Sequence, residues 1–447
     1  MPTRRELLIV CLLLVGLILL SRPSTEGFRI QNPFRSDEGG DALNSIIPDF
    51  LDDIEKHGGT VNGKLWDTQL VWRGGRVPET TVVAHTHGWT VLDKLYIKNG
   101  TMYIVSDNRA SIPDVKEVMS KGIFVKNGPE EERKRLPTSE DIQVISTREA
   151  KRLFGTSAQI IDGVTWLVND PPQFITHYYH WAAELWFGLW RTYSSLDINI
   201  AKDGKTHLKA PRRLMFHHLD AHHWRDYADM NQFVVRSTVP SITMEFVDDW
   251  RDRTEMDRAF VFDRVLIEDR STAFLSKEVQ RYQRIVANAF QMPGSVNWWM
   301  TVRNNVIEAA GVHRSVGEGL TGKPVITYIS RQTWGRRMLK PEDHDRLVQE
   351  LYKLRDTYGY EVNVVSMDKL SRMQQIQLAA RTTIMMGVHG NGLTSLIWMN
   401  SSPRATVMEF FFPGGFAYDY EYTSRAMGLT HYGFWNNEYV QPTKSRR

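Results

Sequence analysis

TTIMMGVHGNGLTSLIWMNSSPRATVMEFFF, residues 382–412, decides the fold. Ile384 to Val388 is an apolar run of buried-strand length. His389-Gly390-Asn391-Gly392 is a turn built from small residues and from residues that tolerate left-handed backbone. Leu393 to Met399 is predicted as helix, and Ala405 to Phe412 is a second apolar run, broken only by Glu409. A helix that opens just after a glycine-bearing turn offers free N–H groups and a positive dipole end, which suits a diphosphate. The same glycines also suit a junction that needs only close packing, and this stretch alone fits both readings.

Upstream, the pattern repeats. Pro324 to Ser330 reads as a strand ending in Arg331. Pro341 to Tyr358 reads as a helix, opened by Pro341 with Glu342 and Asp343 in its first turn. Glu361 to Val365 is a strand and Ser371 to Arg381 a helix. This alternation predicts a parallel sheet with right-handed crossovers. Ligands of such sheets bind beyond the carboxyl ends of the strands. Arg331, Arg336, Arg337, the His389–Asn391 turn and Glu409 all fall at or just past such ends. Guanidinium groups and a helix N-terminus suit a diphosphate, and a carboxylate at the next strand end suits ribose hydroxyls.

A second dense stretch is Phe174 to Trp190, FITHYYHWAAELWFGLW. Helical spacing puts His177, His180 and Glu184 on one face. Such a face serves either as an acid–base pair, with the carboxylate orienting an imidazole, or as a buried polar network. His217, His218, Asp220, His222 and His223 invite a metal reading. They lack a His-Glu-x-x-His pattern, and adjacent histidines point different ways, so a surface or cleft loop is expected. Asp343-His344-Asp345 resembles a metal-binding Asp-x-Asp but falls in a solvated helix turn.

The other parts fix the organisation. Arg4 and Arg5 precede Leu7 to Leu20, an uncharged run that fits a signal peptide or a signal anchor. No small-x-small cleavage pattern follows, which favours an uncleaved anchor with the N-terminus cytosolic and the bulk lumenal. Residues 22–62 are polar and read as a stem. Residues 63–150 alternate apolar and polar in β fashion, with Asn99-Gly100 as a hairpin turn and 126–141 as a charged, exposed loop. Residues 151–311 read as an N-terminal α/β domain, including helices at 273–292 and 298–311. Residues 312–447 read as the C-terminal one. The only cysteine, Cys11, lies in the anchor, so the lumenal part holds no disulfide. A net charge of +3 on 447 residues gives no case for nucleic acid. Asn99-Gly100-Thr101 and Asn400-Ser401-Ser402 are glycosylation sequons.

ITYISRQTWGRRML, QIQLAARTTIMMGVHGNGLTSLIWM and VMEFF, in this order after the histidine-rich helix, resemble glycosyltransferase family 61. This family includes plant xylosyl- and arabinosyltransferases and animal O-GlcNAc transferases. The resemblance implies an α/β, GT-B-like architecture of two facing Rossmann-like domains. It implies inverting transfer from a UDP-sugar to a glycan or glycoprotein hydroxyl, on the lumenal side of the Golgi or ER membrane. Arg331, Arg336, Arg337 and the backbone from Gly390 through Asn391, Gly392 and Leu393 to Thr394 would hold the diphosphate, with no metal required. Glu409 would hold ribose, His389 would touch phosphate or sugar, and Glu184 or His180 would be the base. Asn391 departs from the usual alanine, so its amide either adds a bond to phosphate or crowds it. Donor sugars suggested are xylose and GlcNAc. A metal-dependent GT-A enzyme and a non-catalytic binder of the same fold stay open as alternatives.

Overall fold

The computed structural model describes residues 68–312, 322–436 and 438–440. The expected anchor and stem lie outside the described residues. Among the described residues, no helix is long and apolar enough to cross a membrane. Two sheets occupy the unit from Thr68 onward.

Ten strands build the first sheet: β1 (Gln69–Val71), β2 (Thr81–Thr86), β3 (Trp89–Asp93), β4 (Tyr96–Lys98), β5 (Thr101–Val105), β6 (Ile142–Ile145), β7 (Ser157–Val168), β8 (Arg213–Phe216), β9 (Thr243–Glu245) and β10 (Phe260–Glu268). Six build the second: β11 (Val325–Ile329), β12 (Glu361–Val365), β13 (Ile384–Val388), β14 (Thr406–Phe410), β15 (Thr430–Trp435) and β16 (Glu438–Val440).

In the second sheet the spatial order is β12-β11-β13-β14-β15-β16. All neighbours but the last pair are parallel. The order reverses between β11 and β13, and that switch point is where such sheets open a crevice at their carboxyl ends. Local signals set the element boundaries. The Pro341–Tyr358 helix begins with proline in its first turn and ends at Gly359, whose φ of 66° only glycine adopts at no cost. Ser371 and Gln374 form a capping box on the Arg372–Arg381 helix. The element after the glycine turn differs from expectation. Asn391–Trp398 is a tight 3₁₀ helix, not an α-helix.

The first sheet keeps a parallel set, β9-β8-β7-β10, with its own reversal between β7 and β10. Antiparallel strands are added beside it. Asn99 (φ 50°) and Gly100 (φ 82°) close the β4–β5 hairpin as their sequence predicts. The pairing crosses the domain boundary expected at 150, because β3 and β4 both join β10. The β-rich region is therefore part of the first α/β layer. Two local expectations also fail. The charged break contains the helix Pro129–Arg135, with three glutamates in its first turn and three cations in its last. The single helix expected over 273–292 is instead the short helices Arg270–Ala273, Lys277–Tyr282 and Val286–Ala289. Left-handed Gln283 (φ 54°) ends the second of them.

One apolar core runs from the first sheet into the second. It takes in Trp166, Trp186, Phe187, Trp298 and Trp299, and continues through Leu393, Trp398 and Tyr420. Buried Arg303, on the Met300–Ala309 helix, donates to the carbonyls of Trp398 (2.9 Å) and Met399 (2.8 Å). Trp398 Nε1 donates to the Tyr178 hydroxyl at 3.0 Å. These bonds pin the base of the glycine-turn helix to the N-terminal half.

Candidate active site

The histidine-rich segment forms an unusual helix. His180–Trp186 is a π-helix that continues as an α-helix over Phe187–Ser194. Every residue from Trp181 to Ser194 is buried, which is how a helix that is apolar on all sides must pack. Gly188 allows the closest contact. A Cβ there would collide with the Trp89 ring. A π-turn costs hydrogen-bond geometry and tends to mark functional positions.

His180 Nδ1 lies 2.7 Å from Glu184 Oε2. Glu184 is 2% exposed, so its carboxylate must be paired inside the protein. It accepts from Arg270 Nη1 at 2.6 Å and from Arg284 Nη1 at 3.2 Å. Burial pushes the Glu184 carboxyl up. The charges of Arg270 and Arg284, and then His180, outweigh burial and hold it well below the usual carboxylate range. An ionised Glu184 only accepts, so His180 Nδ1 carries the proton of this bond and Nε2 stays outside it. The two residues expected to share the base role thus separate. Glu184 is enclosed and engaged, and the His180 side chain is 31% exposed among the rings of Phe174, His177 and Tyr179.

Arg270 stands at the end of β10 and Asp170 just past β7, at the switch point of the first sheet. Arg270 Nε donates to Asp170 Oδ2 at 3.0 Å. Its guanidinium also lies over the Phe174 ring, 4.1 Å from the centroid. Arg284 Nη1 reaches Asp419 Oδ1 of the C-terminal half at 2.8 Å. Neither arginine was among the residues expected at the site. The triplet Glu268-Asp269-Arg270, charged residues closing an apolar strand, was the available signal.

At the second switch point, Arg331 follows β11 and the His389–Asn391 turn follows β13. Gly390 is extended (φ 160°), and a Cβ there would strike the Arg331 guanidinium, so glycine is what lets the cation lie on the turn. Arg331 Nε is buried without a hydrogen-bond partner. Burial, then the charges of Arg337 and Arg336, hold Arg331 below the usual guanidinium value. The three expected arginines therefore cluster, and among the described residues none of them pairs with a carboxylate. The first turn of the 3₁₀ helix has no side-chain cap. Its rim residues Asn391 and Gly392 are half-buried, whereas Leu393 and Thr394 are 1% and 0% exposed. Leu393 N–H is spent on Gly390 O at 3.0 Å. Of the backbone expected to hold diphosphate, Asn391 and Gly392 are half-buried, Gly390 is buried beneath the Arg331 guanidinium, and Leu393 and Thr394 are buried.

Asn391 Oδ1 accepts from the backbone N–H of Tyr179 at 3.2 Å and from Thr394 Oγ1 at 3.3 Å. Its amide thus bridges the glycine turn to the start of the histidine helix. The ribose role expected of Glu409 does not fit its placement. Glu409 is 0% exposed, with Oε1 2.5 Å from His389 Nδ1 and Oε2 2.9 Å from His431 Nε2. A carboxylate inside an apolar strand is satisfied by neighbouring side chains before any ligand arrives. Its effect is to hold His389 through Nδ1, which leaves Nε2 outside that bond. His389 also packs against the Phe411 ring, at 5.8 Å.

Other histidines lie elsewhere. His217 Nδ1 and His218 Nε2 both bond Asn169 Oδ1 at 2.9 Å, and burial lowers both rings below the usual value. His223 pairs with Asp220 on the surface. Among the described residues, no group of three or more His, Cys, Asp or Glu is placed to hold a metal.

Residues 178–408, just over half of the chain, match the family model described as Glycosyltransferase 61. The match runs from Tyr178 before the π-helix to Met408 just before Glu409, taking in β10 of the first sheet and the whole β11–β13 switch point. No curated protein matches the chain.

Proposed function

This chain belongs to glycosyltransferase family 61, and we propose that it is an inverting enzyme moving a sugar from a UDP-sugar to a glycan or glycoprotein hydroxyl. The observation that carries this reading is Arg331 lying over Gly390 at the β11–β13 switch point, with the charges of Arg336 and Arg337 near it and no carboxylate partner for any of the three among the described residues. Unneutralised guanidinium groups at an uncapped helix start are suited to an anion. The two parallel sets, each with a reversal, support a GT-B type reading.

In this reading the C-terminal sheet holds the donor and the histidine helix faces the acceptor. His180 Nε2 takes the proton of the acceptor hydroxyl. That oxygen attacks the anomeric carbon as the bond to the diphosphate breaks. The departing charge falls on the arginines and on the amides at Asn391 and Gly392. Glu184 holds the imidazole in the correct tautomer and stabilises it once protonated. His389 Nε2 donates to phosphate or sugar. The positive charge a metal provides in other transferases comes here from side chains and the helix end.

The deciding experiment measures UDP release by the full chain in detergent, across a panel of UDP-sugars, with and without EDTA. The expected outcome is turnover of UDP-xylose or UDP-GlcNAc that EDTA leaves intact. Tight UDP binding with no turnover would make the protein a binder, and loss in EDTA would make it metal-dependent. We further propose that Leu7–Leu20 anchors the chain as a single-pass type II protein of the Golgi or ER. Asn99 is exposed at its hairpin tip, so a lumenal chain should carry an endoglycosidase-sensitive glycan that Asn99→Gln removes. An unglycosylated chain in secretory membranes counts against that orientation.

A further inference from the structure

The loop after β8 brings one more side chain to the cleft. Asp226 is 4% exposed and braces the loop. Its Oδ1 accepts from the N–H groups of Met230 (2.7 Å) and Asn231 (2.8 Å), and its Oδ2 from Ala228 N–H (3.1 Å). Asn231 Nδ2 ties the same loop to the carbonyls of Ile175 (2.9 Å) and Trp224 (3.0 Å). From the other side, Arg372 of the C-terminal half donates to Asp229 O at 3.0 Å. The loop is thus fastened to both halves of the molecule.

Tyr227 sits on this braced turn and is 65% exposed. Its ring meets His177 edge-on at 5.8 Å, and His177 lies 4.9 Å from His180. The Tyr227 phenol also interacts with the Asn391 side chain and with the charges of Arg331 and Arg336. Burial, and then Asp226, raise the phenol above its usual value, and these three groups act against them. Tyr227 therefore has neighbours at both places: His177, which touches the imidazole read as the base, and Asn391, in the turn read as the diphosphate cradle. His177 Nδ1, beside it, is buried without a partner, and burial and His180 push that imidazole down to about 4. It is neutral near pH 7.

We propose that the transferred sugar packs against Tyr227 and that this ring sets which sugar is accepted. The proposal rests on the UDP-sugar reading above. An exposed tyrosine on a loose loop is unremarkable. One on a turn fixed from two sides presents its ring in a single orientation, as a specificity surface requires. Charge holds the diphosphate, and the ring holds the sugar, so the two contributions separate experimentally.

The test uses the full chain, the UDP affinity by calorimetry, and kcat/KM for the two best UDP-sugars of the wild type. Tyr227→Ala should leave UDP affinity within about two-fold. Its preference between the two sugars should shrink roughly ten-fold, the scale of one lost apolar pocket contact. Tyr227→Phe should keep the wild-type preference. The exposed site makes an unchanged melting temperature the expected control. A wild-type sugar preference in Tyr227→Ala overturns the proposal. So does a parallel loss of UDP affinity and of both activities, which marks a brace. A wild-type chain that binds no UDP overturns the transferase reading itself and, with it, this inference.

Discussion

The two switch points are built alike and finished differently. Each lies where a parallel set reverses its order, and each carries arginine at the carboxyl end of a strand. In the first sheet Arg270 is 2% exposed and locked to Asp170 and Glu184. Arg284 is shared between Glu184 and Asp419. In the second, Arg331 lies on a glycine with a buried, unpartnered Nε. Arg270 Nη2 and Arg284 Nε are also buried without a hydrogen-bond partner, but the charges of these two arginines are met by carboxylates, and cations neutralised in this way hold structure in place. A cation with no carboxylate partner among the described residues is available to something the protein does not itself contain. The difference assigns positioning to the first sheet and anion binding to the second.

Swapping one arginine at each site is the strongest way to break that contrast. Arg270→Leu leaves Asp170 and Glu184 as buried charges short of a partner, and should destabilise the protein by about 3–5 kcal/mol. Among the described residues Arg331 forms no ion pair, so the melting temperature of Arg331→Ala should stay close to wild type. Its UDP affinity should drop by the worth of a charged hydrogen bond, about 1.5–3 kcal/mol, or roughly ten- to hundred-fold. Melting curves and calorimetry on the pair decide it. If Arg331→Ala unfolds and Arg270→Leu does not, the assignment is reversed.

Glu184→Gln sharpens the first half. The shape stays, but Arg270 and Arg284 each lose a negative partner while keeping Asp170 and Asp419. The expected cost is about 1.5–3 kcal/mol near neutral pH. Its pH dependence has a definite sign. Glu184 is held below its unfolded value of about 4.3. The stability it adds is therefore fully present above that pH and is lost as pH falls through the lower folded value. The wild type should lose more stability than Glu184→Gln on acidification below about pH 4. Denaturant midpoints for both proteins at pH 7 and pH 3 test this, and a variant gap that widens in acid would refute it. Turnover should also fall by about two orders of magnitude or more, because an amide no longer fixes the tautomer of His180.

How far the sequence carried these conclusions depends on distance along the chain. The C-terminal sheet was legible because its signals are local. Pro341, Gly359 and the Ser371–Gln374 box mark boundaries within a few residues of themselves. The first sheet was not. β10 pairs with β3 and β4 across more than 150 residues, and no neighbouring residue announces it. The site divides the same way. Arg331 and the glycine turn were readable as strand ends, and His180 with Glu184 as one helix face. Asp170 and Arg270 meet from 100 residues apart. Glu409 was misread for a related reason. Its isolation in an apolar strand suggested an open carboxylate, but His389 and His431, each about 20 residues away in sequence, close over it.

Asn391→Ala is the mildest probe and the one that touches both switch points at once. Asn391 Oδ1 takes the Tyr179 N–H from across the cleft, and Tyr179 OH in turn donates to Asp419 O at 3.0 Å. Removing the amide deletes one neutral bond, worth about 0.5–1.5 kcal/mol. The residue is only half-buried, so water can replace the lost partner, and the cost should sit at the low end. The Gly390 contact with Arg331 does not involve this side chain. UDP affinity should therefore change less than in Arg331→Ala. The acceptor KM should rise, because the start of the histidine helix is no longer tied to the glycine turn. If Asn391→Ala instead weakens UDP as much as Arg331→Ala does, the amide belongs to the diphosphate site. The two halves would then be coupled through the ligand, with the Tyr179 bond incidental.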